Sequence, residues 1–469
     1  MGSLLKNRKL FSSPWIDIAL ILALSAGCPG IANAQQLPAQ AHVLTLSDAV
    51  KIALEKNPQR KAALADTKVA SADVREARSF LLPRLIFSET ATRGTDPVYV
   101  FGSRLRQQRF TAADFALNAL NTPTPFGNYA TRFSGAWNLF DSSASWRGVD
   151  RAKRAREAST QQLARTEQEI VYLAVDSYYG VLLAKKQLEL AGQALKTAQA
   201  IFDRGKDRYE SGVAVQSDAL SAQARLAARN QESIRAKNNL AMARAQLSAA
   251  LGVAPENEFD PAEPMAEKHL PSLSLEESEK SAMENRPDLK RIRTEEIAQR
   301  QSVSIAKAAF GPRVNGFADW EADNPAFAGG GGNNWVAGIE IQFDLFQGGA
   351  KRAQLSREQA LQEKVASLKE MATDAANLDV RRAYYGVETA QQQIEVARAA
   401  IAAAEESLRI NQDRYDSGLS AISDLLAAEE AARRSQTDYW DAIYRYHTGY
   451  AGLELASGTL NSQSPVVTP

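Results

Sequence analysis

Cysteine is nearly absent from this sequence: Cys28 stands alone among 469 residues, and there are only three histidines, His42, His269 and His447. One cysteine excludes an intrachain disulfide framework and leaves no cysteine-rich zinc site. An excess of charge is missing as well. Lysine plus arginine equal aspartate plus glutamate at 55 each, so nothing points to nucleic acid or another strongly charged partner. Aromatics make up only 7%, in a chain whose abundant alanine suits long packed helices. Beyond residue 34 no run of about 18 apolar residues occurs, which excludes a transmembrane helix. If the mature chain spans a membrane it must do so as a closed β-barrel, because open strand edges cannot be satisfied in lipid. Catalytic signatures are missing too: there is no G-x-S-x-G, no H-E-x-x-H and no Walker loop. No catalytic, cofactor-binding or metal-ligating residue is therefore assigned, and an enzyme is not expected.

The first 34 residues read as an export signal. Lys6, Arg8 and Lys9 form a charged start, residues 16–26 an apolar core broken mainly by Asp17, and Ala32-Asn33-Ala34 a cleavage site that places the mature start at Gln35. A competing reading makes Cys28 a lipidated first residue, since Ala26-Gly27-Cys28 resembles the end of a lipobox. Ser25 stands where such boxes want a leucine-like residue. Either route takes the protein out of the cytoplasm.

The rest of the chain is written twice. Leu44-Thr45-Leu46-Ser47 recurs as Leu273-Ser274-Leu275-Glu276, Pro58 as Pro287 and Pro83-Arg84 as Pro312-Arg313, all at an offset of 229. Further on, Leu139-Phe140 matches Leu345-Phe346, Tyr178-Tyr179-Gly180 matches Tyr384-Tyr385-Gly386, and Gly252 matches Gly458, at an offset of 206. Asp207-Arg208-Tyr209 with Ser211-Gly212 repeats as Asp413-Arg414-Tyr415 with Ser417-Gly418 in the same register. The single change of offset is one 23-residue length difference between Pro83 and Leu139.

Each copy mixes two periodicities. Along 129–139, Tyr129, Thr131, Phe133, Gly135, Trp137 and Leu139 share one face, opposite Ala130, Arg132, Ser134, Ala136 and Asn138. Residues 335–345 and 313–322 alternate in the same way, and 84–93 do so weakly. Strands of about ten residues with one apolar and one polar face are what a membrane barrel with a wet lumen requires. Four half-buried strands of a soluble sheet would read alike. Residues near 142–211 and 347–417 are proline-free helix of about 70 residues, on the order of 105 Å, too long for a globular core to bury but suited to coiled-coil packing. Helices of about 36 residues at 47–82, 216–251, 275–310 and 421–456 fit two end to end along each long one. Pro58 and Pro287 should break the first of each pair. The proline-rich piece 252–273 belongs at mid-height. Four strands per chain are too few to close a barrel, so the chain must oligomerise.

The duplicated strand–helix order, the signal peptide and the two R-Y-x-S-G motifs together resemble the TolC-like outer membrane factor family over residues 44–458. The resemblance implies an α+β membrane protein: a homotrimer whose twelve strands form one barrel in outer-membrane lipid and whose twelve helices form a periplasmic coiled-coil tunnel. It implies a passive exit duct for efflux or type I secretion. A periplasmic adaptor (membrane fusion) protein would dock at the tunnel tip and link it to an inner-membrane pump of RND or ABC type. The expected organisation is a signal peptide at 1–34, a first repeat at 35–251, a mid-height connector at 252–273, a second repeat at 274–458 and a flexible tail at 459–469. A surface-anchored trimeric coiled-coil adhesin or stalk is the alternative, although such proteins usually keep their anchoring strands in one terminal block.

The tips carry the candidate sites. Gly212 and Gly418 sit where long helices reverse, and glycine supplies the left-handed conformation there. Exposed turns at Gly212-Val213 and Gly418-Leu419, with Arg208, Tyr209, Arg414 and Tyr415 one turn before, are read as the adaptor-docking surface. The arginines are also suited to their own helix dipoles. The resemblance further implies that Asp218 and Tyr415 hold the tip closed, together with an arginine at the position of Ser420, which this chain lacks. It places Asp424 in a carboxylate ring at the constriction, and Ala427 replaces the second aspartate of that ring. Asp424 equally suits a helix N-cap or first-turn acid. In the barrel, Asp319, Glu321, Glu340 and Asp344 make an acidic face. Gly329-Gly330-Gly331-Gly332 reads as a flexible extracellular turn. The longer 97–128 loop, basic at Arg104, Arg106 and Arg109, is a candidate contact for lipopolysaccharide.

Overall fold

Prolines, caps and left-handed residues cut this chain into its elements. The structure is a computed structural model that describes residues 42–267, 270–272 and 274–468. The signal segment with Cys28 and Gln35, and His269, lie outside the described residues, as does the side chain of His42. After strand β1 (His42–Leu44), Thr45 caps α1 (Leu46–Lys56) by accepting from Asp48 N at 3.2 Å. Asn57 ends α1 and caps α2 (Pro58–Ser79), its Oδ1 accepting from Gln59 N at 2.8 Å, so the proline begins a new helix. Strand β2 (Arg84–Gly94) follows, then α3 (Pro97–Arg106), a 3₁₀ turn at Ala112–Phe115, α4 (Leu117–Asn121) and strand β3 (Phe126–Phe140).

Helix α5 (Ala144–Glu210) is 67 residues long, about 100 Å at the α-helical rise, and α6 (Gln216–Ala250) returns along it. The second copy runs from β4 (Phe259–Pro261) through α7 (Leu275–Asn285), α8 (Pro287–Ala308), β5 (Arg313–Asn324) and β6 (Gly332–Gln342). It ends with α9 (Ala350–Asp416), again 67 residues, and α10 (Ile422–Ser457). Where the strands give way to α5 and α9, Ser142 and Ser143 adopt left-handed angles, as do Gly348 and Gly349 at the matching positions.

The four long strands form one antiparallel sheet in the order β2-β3-β5-β6. Its register places Phe87 opposite Phe133, Phe133 opposite Trp320 and Trp320 opposite Trp335, so one face is apolar from edge to edge. Leu85, Trp137, Ile339 and Ile341 extend that face and are exposed. Arg132, Ser134, Asp319, Glu321 and Glu340 share the other. Strand β6 stops at Gln342, short of the alternation that the sequence carries to 345, because its partner begins at Arg313 after Pro312, which has no N–H to donate. Asp344 is therefore off the sheet and pairs with Lys351 at 3.2 Å.

The hydrophobic core sits where α1, α5 and α10 pack, around Val50, Ile170, Val175, Tyr178, Ile443 and Ala451. The connector folds onto it: β4 pairs parallel with β1, and Asp260 meets Arg244 at 2.9 Å and Lys185 at 3.2 Å. The expected flexible tail is corrected. Leu460, Val466 and Val467 are buried in this same core, where their apolar side chains leave water.

The 97–128 loop is folded, with Phe101, Phe110 and Phe115 in edge-to-face contact at 4.8 and 5.1 Å, and two of its three arginines are paired within the chain while Arg109 is exposed. Arg104 pairs with Asp114 and Arg106 with Glu321. The four-glycine turn is not free along its length, since a Cβ on Gly331 would strike the Asp323 carbonyl and one on Gly332 the Arg106 carbonyl.

Candidate functional site

Both long helices end in the same way, and the motif explains why. Gly212 and Gly418 have φ of +76° and +73°. Gly212 N donates to Tyr209 O at 3.0 Å and Val213 N to Arg208 O at 2.9 Å, and Gly418 N and Leu419 N bond Tyr415 O and Arg414 O at 3.0 and 2.8 Å. This pair of bonds closes the last turn and satisfies carbonyls that would otherwise be orphaned. It leaves Val213 and Leu419 at the apex, 68% and 70% exposed.

The two tips of one chain are bound to each other. Arg208 Nη1 donates to Tyr415 O at 2.7 Å and Asp416 O at 3.2 Å, and the guanidinium lies 5.1 Å from the centre of the Tyr415 ring. Arg204 adds an ion pair to Asp416 at 3.1 Å. Ile201, Ala222, Tyr415, Ile422 and Leu425 form a small buried cluster beneath. Arg208 thus does more than complement its own helix dipole: it caps the last carbonyls of α9, reached from 207 residues away.

Burial, then the charges of Asp218 and Asp416, push the Tyr415 phenol above its ordinary value, against the pull of Arg208 and Arg204. Asp218 acts on it through charge alone, and among the described residues the Tyr415 hydroxyl has no hydrogen-bond partner. The Ser420 hydroxyl, where the resembling proteins place an arginine, is also buried and unpaired. Asp424 is exposed in the first turn of α10 behind an Ala421 N-cap, so it is not itself the cap. Ala427 is exposed one turn on. Tyr209, Val213, Arg414 and Leu419 are the tip residues left facing outward.

Sequence reasoning missed an ionic cluster above the tip. Arg225 and Arg229 of α6 meet Glu429 and Glu430 of α10 at 2.5–3.0 Å, and Arg433 of α10 reaches Glu232 of α6 at 2.9 Å. Arg229 and Glu429 are 5% and 4% exposed. Burial alone would raise the Glu430 carboxyl, but hydrogen bonds from Arg433 and Arg229 outweigh it and hold the group down to about 2. The only signal in sequence was arginines four apart on one helix and adjacent glutamates on another, about 200 residues away. Among the described residues no cluster suits a metal ion, and no helix is long and apolar enough to cross a membrane.

The chain is similar to known proteins in sequence and in fold. A family profile described as outer membrane efflux protein matches residues 49–253 and 280–459. The chain is 26% identical over 432 residues to the alkaline protease secretion protein AprF of Pseudomonas aeruginosa, covering 90% of this chain and 86% of that protein. It is 24% identical over 434 residues to the outer membrane protein TolC of Escherichia coli, covering 87% and 80%. In three dimensions it resembles the Campylobacter jejuni CmeC outer membrane channel with a TM-score of 0.76 at 16% identity, over 90% of this chain and 87% of that one.

Proposed function

The chain belongs to the outer membrane efflux protein family, and from that premise we propose that it is one protomer of a trimeric outer-membrane exit duct. The observation that carries this reading is the four-stranded sheet. One face is apolar and exposed, and the outer strands β2 and β6 each have one unpaired edge. Open edges and an apolar face together are incompatible with water and with lipid, unless copies join edge to edge. Three copies supply twelve strands, an even number within the range of membrane barrels. The helices then continue the barrel as a periplasmic tunnel, built from the repeats 35–251 and 274–458, with 252–273 as a belt and 1–34 as the cleaved export signal.

The duct is passive, and energy comes from an inner-membrane pump through a periplasmic adaptor. Of the tip residues, Tyr209, Val213, Arg414 and Leu419 are exposed and form the adaptor surface, with Gly212 and Gly418 shaping the turns. Arg208 and Tyr415 belong to the closure of the tip. Asp218 biases that closure by its charge, and three copies of Asp424 ring the constriction and favour cations. The interrupted helices and the family membership leave no support for an adhesin or stalk. AprF is named for protease secretion, which makes an exported polypeptide the first cargo to test.

The test is planar-bilayer conductance of the detergent-extracted trimer, recorded for wild type and Asp424→Ala. A small cation-selective current that loses its selectivity in the variant supports duct and constriction together. Selectivity unchanged by the substitution keeps the duct and removes Asp424 from the constriction. Absence of any channel from a folded trimer sinks the reading.

A further inference from the structure

The 23-residue excess of the first copy lies at one end of the sheet, and its contacts are all on one side. Arg106 Nη1 donates to Glu321 at 3.0 Å, on the polar face. Gln107, 2% exposed, donates through Nε2 to Asn128 Oδ1 at 2.8 Å, Gly127 O at 3.0 Å and Asn324 O at 3.2 Å. Asn128 in turn donates to Asp323 at 2.5 Å. Glu321, Asp323 and Asn128 fall on the same face as Arg132 and Asp319 by the register of β3 and β5. A loop that joins β2 to β3 has therefore folded sideways, across the polar end of β5 and β6.

The seat is built for it. The Arg106 carbonyl lies where a Cβ of residue 332 would be, so only glycine at the start of β6 admits α3. Asp96 caps α3 by accepting from Tyr99 N at 2.7 Å, and the Tyr99 hydroxyl donates to Thr92 O at 2.8 Å, fixing the loop to its own strand. The matching connection of the second copy, 325–331, has no helix of its own.

We infer that this insert is a size filter at the outer mouth of the duct, separate from the periplasmic tip; the inference rests on the trimeric barrel proposed above. Twelve strands spaced about 4.8 Å apart and tilted about 40° enclose a backbone cylinder roughly 24 Å across. A helix with its side chains is about 10 Å thick. Three copies of α3 standing inside the rim of so narrow a cylinder leave an opening of a few ångströms, far less than the barrel wall alone allows. Because Tyr99, Arg106 and Gln107 hold the helix through side-chain hydrogen bonds, the filter is a separate piece seated on the wall and not one of its strands. Cargo leaving the duct displaces it, and solutes outside meet it closed.

The experiment reads the mouth without involving the tip. A cysteine is placed on the polar face below the rim, Ser134→Cys, and labelled from outside intact cells with maleimides of increasing size, the unsubstituted protein serving as blank. The same labelling is done after residues 97–123 are replaced by a short Gly-Ser turn, and in Gly332→Ala, which pushes the Arg106 carbonyl off its seat. We expect a small maleimide to react in every background. A polyethylene-glycol maleimide should react at least tenfold more slowly in the Ser134→Cys protein than in either altered one, each checked as a folded trimer. Equal rates for the large reagent in all three overturn the filter. Failure of even the small reagent in the shortened protein means the polar face is not a lumen open to the outside, which overturns the barrel reading and the filter with it.

Discussion

The two tips share the Arg-Tyr-x-Ser-Gly motif, the left-handed glycine and the closing hydrogen bonds, yet their side chains lead different lives. Tyr415 is 3% exposed and Tyr209, its counterpart, 41%. Arg208 caps a neighbouring helix, whereas Arg414 is exposed and makes no ion pair or side-chain hydrogen bond among the described residues. Arg-Tyr-x-Ser-Gly encodes a way to stop a helix. Which copy of it holds the molecule together and which is left for a partner depends on where α10 puts the second tip. The same asymmetry runs upward: Arg229, buried among glutamates, has Ser435 as its counterpart, and Glu429 has Gln223.

Breaking the comparison at the ionic cluster should have the largest effect. Arg229→Ala leaves the buried Glu429 carboxylate with Arg225 as its one remaining partner in the cluster and is expected to cost about 3 kcal/mol, the low end for breaking a buried pair. Ser435→Ala at the matching place should cost under about 1 kcal/mol. Thermal unfolding of the solubilised protein compares them, and equal losses would mean the cluster does not distinguish the two hairpins. At the tip, Arg208→Ala removes charged hydrogen bonds to carbonyls and should cost about 1.5–3 kcal/mol. Arg414→Ala should leave stability within about 0.5 kcal/mol of wild type while weakening adaptor capture, measured with the purified periplasmic adaptor. If Arg414→Ala destabilises as much as Arg208→Ala without affecting capture, the division of labour between the tips is wrong.

The smallest effect is expected where the returning helices end. Glu454, counterpart of Ser248, is raised to about 7 by burial, against the pull of a Ser464 hydrogen bond. A carboxyl raised in the folded state contributes stability that is full below its ordinary value of 4.5 and is lost as pH rises through about 7. The packed tail at 460–468 should therefore become more open to proteolysis as pH climbs across that window. Glu454→Gln should abolish the dependence, and proteolysis that is flat with pH in the unsubstituted protein would refute it.

Much of the architecture was legible because it is local. Period-two alternation marked the strands, proline-free runs the long helices, and Asn57-Pro58 and Arg286-Pro287 the breaks. The misreadings share a cause. Leu460, Val466 and Val467 looked like a loose tail because a few apolar residues beside serine and threonine carry no periodicity. Arg104 and Arg106 looked like free charges because the acids that answer them stand 10 and 215 residues away. Gly331 and Gly332 looked flexible because a glycine required by a close neighbour is spelled like one that is not.

By itself the sequence determined the long helices, the four long strands and the turns at the tips, since those depend on neighbours within a few residues and on the spacing of apolar side chains. Tertiary structure alone decided that Arg208 and not Arg414 is a cap, that Arg229 is buried against Glu429, and that the extra loop of the first copy lies on the polar face of the second copy's strands. Each of those depends on a partner brought close by packing, and spacing along a chain does not record which of two identical motifs will meet it.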